Sequence, residues 1–398
     1  MLWPFCALVM ALRNYRLSFA KNIVWLFVIF YGFTIVIEDK AMDASRIIDK
    51  FEAAAKTQIT TRNFISLLYD KDSQTLDIIE PVLVFLVSRV TTNWHFLFAV
   101  FGLIFGFFYS RNIWYLIDRA GGQIKKINLI NILVFSVLVG FWQINGFRFW
   151  TATHMFFFGA MPFLLERKKK YLWVAVLAIF MHFTYLIPLG ILFVYTVAGN
   201  KLNLFFYFFI ATLFLSSLNL NSLNEVIKNH VPDIFHSRVD SYVNDNADEG
   251  LKDAAANLNW YAYIYANLLK WVASIFLIVL YLKTRVYIQS NKPLLNLFSF
   301  SLFFFGFANV FSLIPSGSRF ITLAEMFSLA LAFWYLQNMP ENKTLIKTVQ
   351  LSIPALLLFS IVTIRTAFDT IGVATVIGNP ISASFFVNDK ALIKFIKN

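Results

Sequence analysis

Apolar residues dominate positions 94–110, 127–143, 202–220, 260–282, 294–314 and 321–337, and mostly short polar or basic turns separate these runs. A helix rises 1.5 Å per residue, so about 20 residues cover a hydrocarbon core of about 30 Å. Given tilt and polar flanks, each run predicts one membrane-crossing helix. None alternates polar and apolar positions as a membrane barrel strand must, and a helix satisfies its own backbone groups in lipid. The pattern predicts an all-α polytopic transmembrane bundle of about 10–13 spans, forming a single transmembrane domain over residues 1–398 with no soluble domain.

The turns orient it. Basic stretches at 13–21, 111–126, 166–170, Lys201, 283–292 and 341–347 all fall on one side if helices alternate between them. Lys and Arg in short loops mark the cytoplasmic side. The opposite side receives two long acidic segments, 38–77 and 221–259, which are expected to be external loops; long loops in compact membrane proteins usually carry function. Residues 78–90 are too short to cross, and counting them as a span would reverse the preceding orientation, so a re-entrant or half helix is expected there. Residues 171–198 exceed one crossing, and a hairpin of two short helices turning near Met181–Tyr185, helped by Pro188, fits both length and parity. Residues 1–12 resemble a signal-peptide core, but Arg13 and Arg16 follow the apolar run and no small-residue cleavage site is present, so a retained first helix is expected.

Composition narrows the chemistry. With 59% hydrophobic and 14% charged residues the chain belongs in lipid. The net charge of +12 resides in the inter-span turns, so no nucleic-acid partner is expected. The single cysteine, Cys6, excludes an internal disulfide framework and multi-cysteine metal or redox motifs. The 47 phenylalanines fit a biased overall composition better than an aromatic substrate path. There is no Walker-type loop, no His-Glu-x-x-His and no Gly-x-Ser-x-Gly. No cofactor or metal is expected, and energy must arrive with an activated substrate.

Charged groups near or within spans are costly in lipid and mark candidate sites. Arg148, in Asn145-Gly146-Phe147-Arg148-Phe149-Trp150, stands at the external start of one helix, with Asn145 one turn away on the same face. Arg319, in Pro315-Ser316-Gly317-Ser318-Arg319-Phe320, holds the equivalent position on another. Two guanidinium forks on one membrane face match a pyrophosphate, whereas interfacial snorkelling is the plainer role for each. His182 is a candidate base or phosphate ligand. The first loop adds Asp43, Arg46, Asp49 and Lys50; Asp43 could activate a sugar hydroxyl, although a solvated helix face is the default. Arg238, Asp240 and Tyr242 in the second loop are candidate glycan contacts. Deeper in the membrane, Lys270 and Glu325 are candidates for a structural ion pair, and His154 for a helix–helix hydrogen bond.

The order of Asp43-Ala44-Ser45-Arg46, Glu80-Pro81, Asn145 to Arg148, the basic turn Glu166-Arg167-Lys168-Lys169-Lys170 and Met181-His182-Phe183 resembles the EpsG family, a branch of the Wzy-type polysaccharide polymerases. The likeness runs from about Asp43 to Arg319. The chain departs from it at Phe149, where members commonly carry Gln, and at Ile47, where many carry Tyr. The resemblance implies polymerisation of O-antigen, capsule or exopolysaccharide at the external face of a bacterial inner membrane. A glycan would move from undecaprenyl pyrophosphate onto the next lipid-linked repeat unit. Arg148, Arg319 and Asn145 would hold pyrophosphate, His182 and Asp43 would be the catalytic candidates, and Arg46 and Glu80 would contact glycan. Its implied partners are the undecaprenyl-pyrophosphate-linked oligosaccharide, membrane lipid, a flippase and a chain-length regulator. An oligosaccharide ligase or a polyprenyl-phosphate-sugar glycosyltransferase would need the same basic site; a flippase or transporter would instead place substrate groups near the midplane.

Overall fold

A computed structural model describes residues 3–40, 42–57, 77–215, 260–314, 316–385 and 390–397. Its described helices are α1 (Pro4–Arg13), α2 (Ala20–Thr34), α3 (Asp43–Lys56), α4 (Ile79–Ser88), α5 (Trp94–Ile117), α6 (Lys126–Leu138) and α7 (Phe147–Glu166). There follow α8 (Leu172–Met181), α9 (Leu186–Ala198), α10 (Leu202–Leu213), α11 (Trp260–Ser290), α12 (Lys292–Phe311), α13 (Arg319–Asn338) and α14 (Lys343–Ala367). Two short helices, α15 (Val373–Ile377) and α16 (Leu392–Lys397), come last. Among the described residues no strand forms, and six helical stretches are long and apolar enough to cross a membrane. The chain is therefore an all-α, multi-pass membrane protein.

One of those six, Lys126–Glu166, is a hairpin. A 3-10 turn at Phe141–Gly146 separates α6 from α7. Phe135 meets Phe157 at a ring separation of 5.3 Å, and His154 Nε2 lies 3.0 Å from the Val139 carbonyl. Residues before the turn thus face residues after it. The expected run 127–143 gives up its helix at Leu138, while 94–110 extends to Ile117. The expected run 202–220 is helical over Leu202–Leu213, and its part beyond 215 lies outside the described residues. Lys343–Ala367, absent from the six expected runs, is a further crossing-length helix; Lys343, Lys347, Gln350 and Pro354 interrupt its apolar pattern.

Close backbone approach fixes the first part of the bundle. A Cβ on Gly32 of α2 would lie 2.1 Å from the Phe98 carbonyl oxygen, and one on Gly102 of α5 would lie 2.5 Å from that of Val28. Only glycine lets these two helices touch backbone to backbone, the device that replaces a hydrophobic driving force in lipid. Phenylalanine fills the centre instead, where Phe327 of α13 packs edge-on against Phe300 of α12 at 5.1 Å and also meets Phe157 of α7 at 5.0 Å.

The basic turns meet at one end of the bundle. Lys21 pairs with Asp118, Arg119 with Glu166, and Arg167 donates to the Asn296 side chain. The Lys125 amide donates to Gln337 at the end of α13. At the opposite end lie α3 and α4. Only ten residues long, α4 spans about 15 Å, half a hydrocarbon core, and both its ends stay beside α3. Glu80 at its start faces Lys50, and Arg89 just beyond its end donates to the Thr57 and Ala54 carbonyls. The expected half helix is this element. The expected hairpin is α8 and α9, turning through extended His182 and a 3-10 turn at Phe183–Tyr185, with Pro188 in the first turn of α9.

Candidate functional site

The site is built from the helix starts at the end opposite the basic turns. Arg148 lies in the first turn of α7, and its Nε and Nη1 reach two carboxylates on the α4 entry. Nε lies 2.8 Å from Glu80 Oε2, and Nη1 donates to Asp77 Oδ2 at 2.9 Å. Asp77 and Glu80 are three residues apart, so both face the same way. Each is 1% exposed. Buried carboxylates survive only when paired, and Arg148 and Lys50, the latter 3.7 Å from Glu80 Oε1, supply the pairing. Asp43 adds to the negative field at Arg148.

Asp77 does more than neutralise Arg148. Its other oxygen accepts from the Phe183 amide at 2.9 Å, and the neighbouring Ile78 amide donates to the Phe180 carbonyl at 3.1 Å. One carboxylate therefore ties α7 to the α8–α9 turn that carries His182. Asp77 is not among the site residues expected from the sequence. Its position three residues before Glu80, at the boundary between a polar loop and an apolar run, was the available signal.

Asn145 also joins elements. Its Oδ1 accepts from the Ala44 amide at 3.2 Å, satisfying one of the first-turn N–H groups of α3 that have no partner within the helix. Asn145 lies in the 3-10 turn before α7 rather than on the helix with Arg148; the first reaches α3 and the second the α4 entry. Asp43, at the start of α3, lies 3.7 Å from Arg46, and both side chains remain substantially exposed.

His182 and Arg319 flank the ring of Phe149. The imidazole meets it edge-on at 5.3 Å, and the Arg319 guanidinium stands over it at 5.4 Å from the centroid. The buried His182 accepts at Nδ1 from the Thr184 amide, and the Thr184 hydroxyl lies 2.7 Å from the same nitrogen. An Nδ1 that accepts places the neutral ring's proton on Nε2. Half-buried Arg319 has no carboxylate within ion-pair distance among the described residues. Among the described residues it is a cation that no carboxylate compensates.

Seven expected site residues, His182, Asp43, Arg148, Arg319, Asn145, Arg46 and Glu80, thus lie at one end of the bundle. Arg238, Asp240 and Tyr242 fall outside the described residues. The deeper groups stand apart. His154 bridges helices, with Nδ1 3.2 Å from the Asn112 side-chain nitrogen and Nε2 at the Val139 carbonyl. Lys270 of α11 and Glu325 of α13 attract one another electrostatically without coming within ion-pair distance, so the expected direct pair is a longer-range one.

A family model described as the EpsG family matches residues 51–373. No curated protein and no solved structure matches the chain.

Proposed function

We propose that the chain, which belongs to the EpsG family, is a polysaccharide polymerase whose chemistry takes place where α3, α4, α7, α13 and the α8–α9 turn meet. The basic end would face the cytoplasm and the site the external side of a bacterial inner membrane, following the distribution of Lys and Arg among short turns. The observation that carries the reading is Arg319: a half-buried guanidinium with no carboxylate partner among the described residues, standing over Phe149 and sharing that ring with His182.

The reaction needs a group that gains favour as a pyrophosphate leaves. The donor glycan is bound through its anomeric carbon to undecaprenyl pyrophosphate. A hydroxyl oxygen of the acceptor repeat unit attacks that carbon, the carbon–oxygen bond to phosphate breaks, and the electron pair departs on the pyrophosphate. Arg319 stabilises the developing charge, the kind of term worth about 10²–10³ in rate. His182, with its proton on Nε2, donates to a phosphate oxygen rather than taking the hydroxyl proton. That proton goes to a carboxylate, and Asp43 is the better candidate base than Glu80. Asp43 is exposed enough to meet a sugar, whereas Glu80 is enclosed and held between Arg148 and Lys50. Arg148 and Asn145 hold the floor of the site and present Arg148's remaining N–H groups toward the second phosphate.

The test is elongation of the lipid-linked repeat unit by purified protein. Wild type is expected to produce a ladder of longer glycans, and folded Arg319→Ala to produce almost none. Wild-type activity by Arg319→Ala, or no elongation by folded wild-type protein on the correct substrate, would overturn the proposal.

A further inference from the structure

We infer that the basic end carries a separate site for a phosphate group, in a cavity of about 190 Å³ between α2, α5, α7 and the start of α8. A water molecule's share of liquid volume is about 30 Å³, so the space admits a phosphate with room for a substituent. Four cations, Lys21, Arg111, Arg119 and Lys168, line it against two carboxylates, Asp118 and Glu166.

The pairing is unequal. Glu166 takes Arg119, Lys168 and the Tyr115 hydroxyl, and Asp118 stands 3.9 Å from Lys21. Arg111 has no carboxylate within ion-pair distance among the described residues. Its Nη1 donates to the Ser110 hydroxyl at 2.8 Å and its Nη2 to the Asn22 side-chain oxygen at 2.7 Å. Its guanidinium also lies 4.6 Å from the Trp25 ring centroid and 4.4 Å from that of Phe107. Neutral acceptors and aromatic faces fix its orientation without cancelling its charge. A preoriented guanidinium beside two partly exposed lysines is an arrangement suited to a phosphate monoanion.

The mouth adjoins apolar surface. Tyr171 lines the cavity, and two residues later Trp173 begins an outward-facing row on α8 that continues with Leu177 and Phe180. A phosphodiester in the cavity could therefore keep its acyl chains along α8. The shared chemistry is phosphate, supplied by an anionic phospholipid of the adjacent leaflet or by a soluble ion; the exposed row on α8 fits the lipid.

The experiment titrates purified protein in detergent with phosphatidylglycerol, phosphatidylcholine or inorganic phosphate, reading the thermal melting midpoint and the lipid retained by mass spectrometry. Wild type is expected to prefer phosphatidylglycerol to phosphatidylcholine by roughly tenfold or more. The preference should vanish in K21A/K168A and persist in K343A/K347A, which removes the same charge from exposed positions elsewhere at the basic end. Competition by inorganic phosphate in wild type, lost in K21A/K168A, would support the site while showing that it also takes the soluble ion. No preference in wild type, or equal loss in both double variants, would overturn it. None of these readouts depends on polymerase activity.

Discussion

Arginine does different work at the two ends of α7. At the basic end, Arg167 adopts a left-handed conformation that closes the helix, and its side chain donates to Asn296. Asn296 in turn donates to the Leu164 carbonyl and accepts from Asn200, so the guanidinium is one strand of a neutral mesh joining turns. At the site end, Arg148 is bound to two carboxylates and Arg319, among the described residues, to none. A membrane-edge arginine is defined by what its neighbours leave uncompensated. Arg148 holds architecture by being neutralised; Arg319 keeps its charge unpaired among the described residues, the property on which its proposed role rests.

The comparison can be broken in order of expected effect. Arg148→Ala strands Asp77 and Glu80 as buried charges and should destabilise the protein by about 3–5 kcal/mol, seen as a large fall in thermal midpoint with loss of activity. Arg319→Ala should do the reverse, leaving the midpoint near wild type while cutting turnover by about 10²–10³-fold; an equal fall in midpoint would make Arg319 structural too. Asn145→Ala removes a cap from α3 and should cost about 1 kcal/mol, read as faster hydrogen exchange over the first turn of α3. Lys168→Ala removes one half-exposed partner of Glu166 and should change stability by no more than about 1 kcal/mol.

The span pattern was legible because lipid leaves the backbone few options. The half helix α4 and the α8–α9 hairpin were legible by length and parity, as was the placement of Arg148, Asn145, Arg319 and His182 at helix starts or turns. What stayed hidden required tertiary register. Nothing in the sequence pairs Asp77 with Arg148 across 71 positions, or caps Ala44 with Asn145 across 101. Lys343–Ala367 is as apolar as the other crossing helices, so the same reading of its sequence reaches it. The segment after α14 was silent. It returns across the end of α2, where the Tyr31 hydroxyl meets the Thr370 hydroxyl at 2.7 Å and Thr34 meets Thr375 at 2.8 Å.

That last packing joins early and late parts of the polypeptide. Trp3 donates through its indole nitrogen to the Val376 carbonyl, and Glu38 pairs with Lys394. The first two helices therefore cannot complete their native neighbourhood until residues 370–394 have left the ribosome. During synthesis that face of the first two helices stays unfilled until those residues emerge.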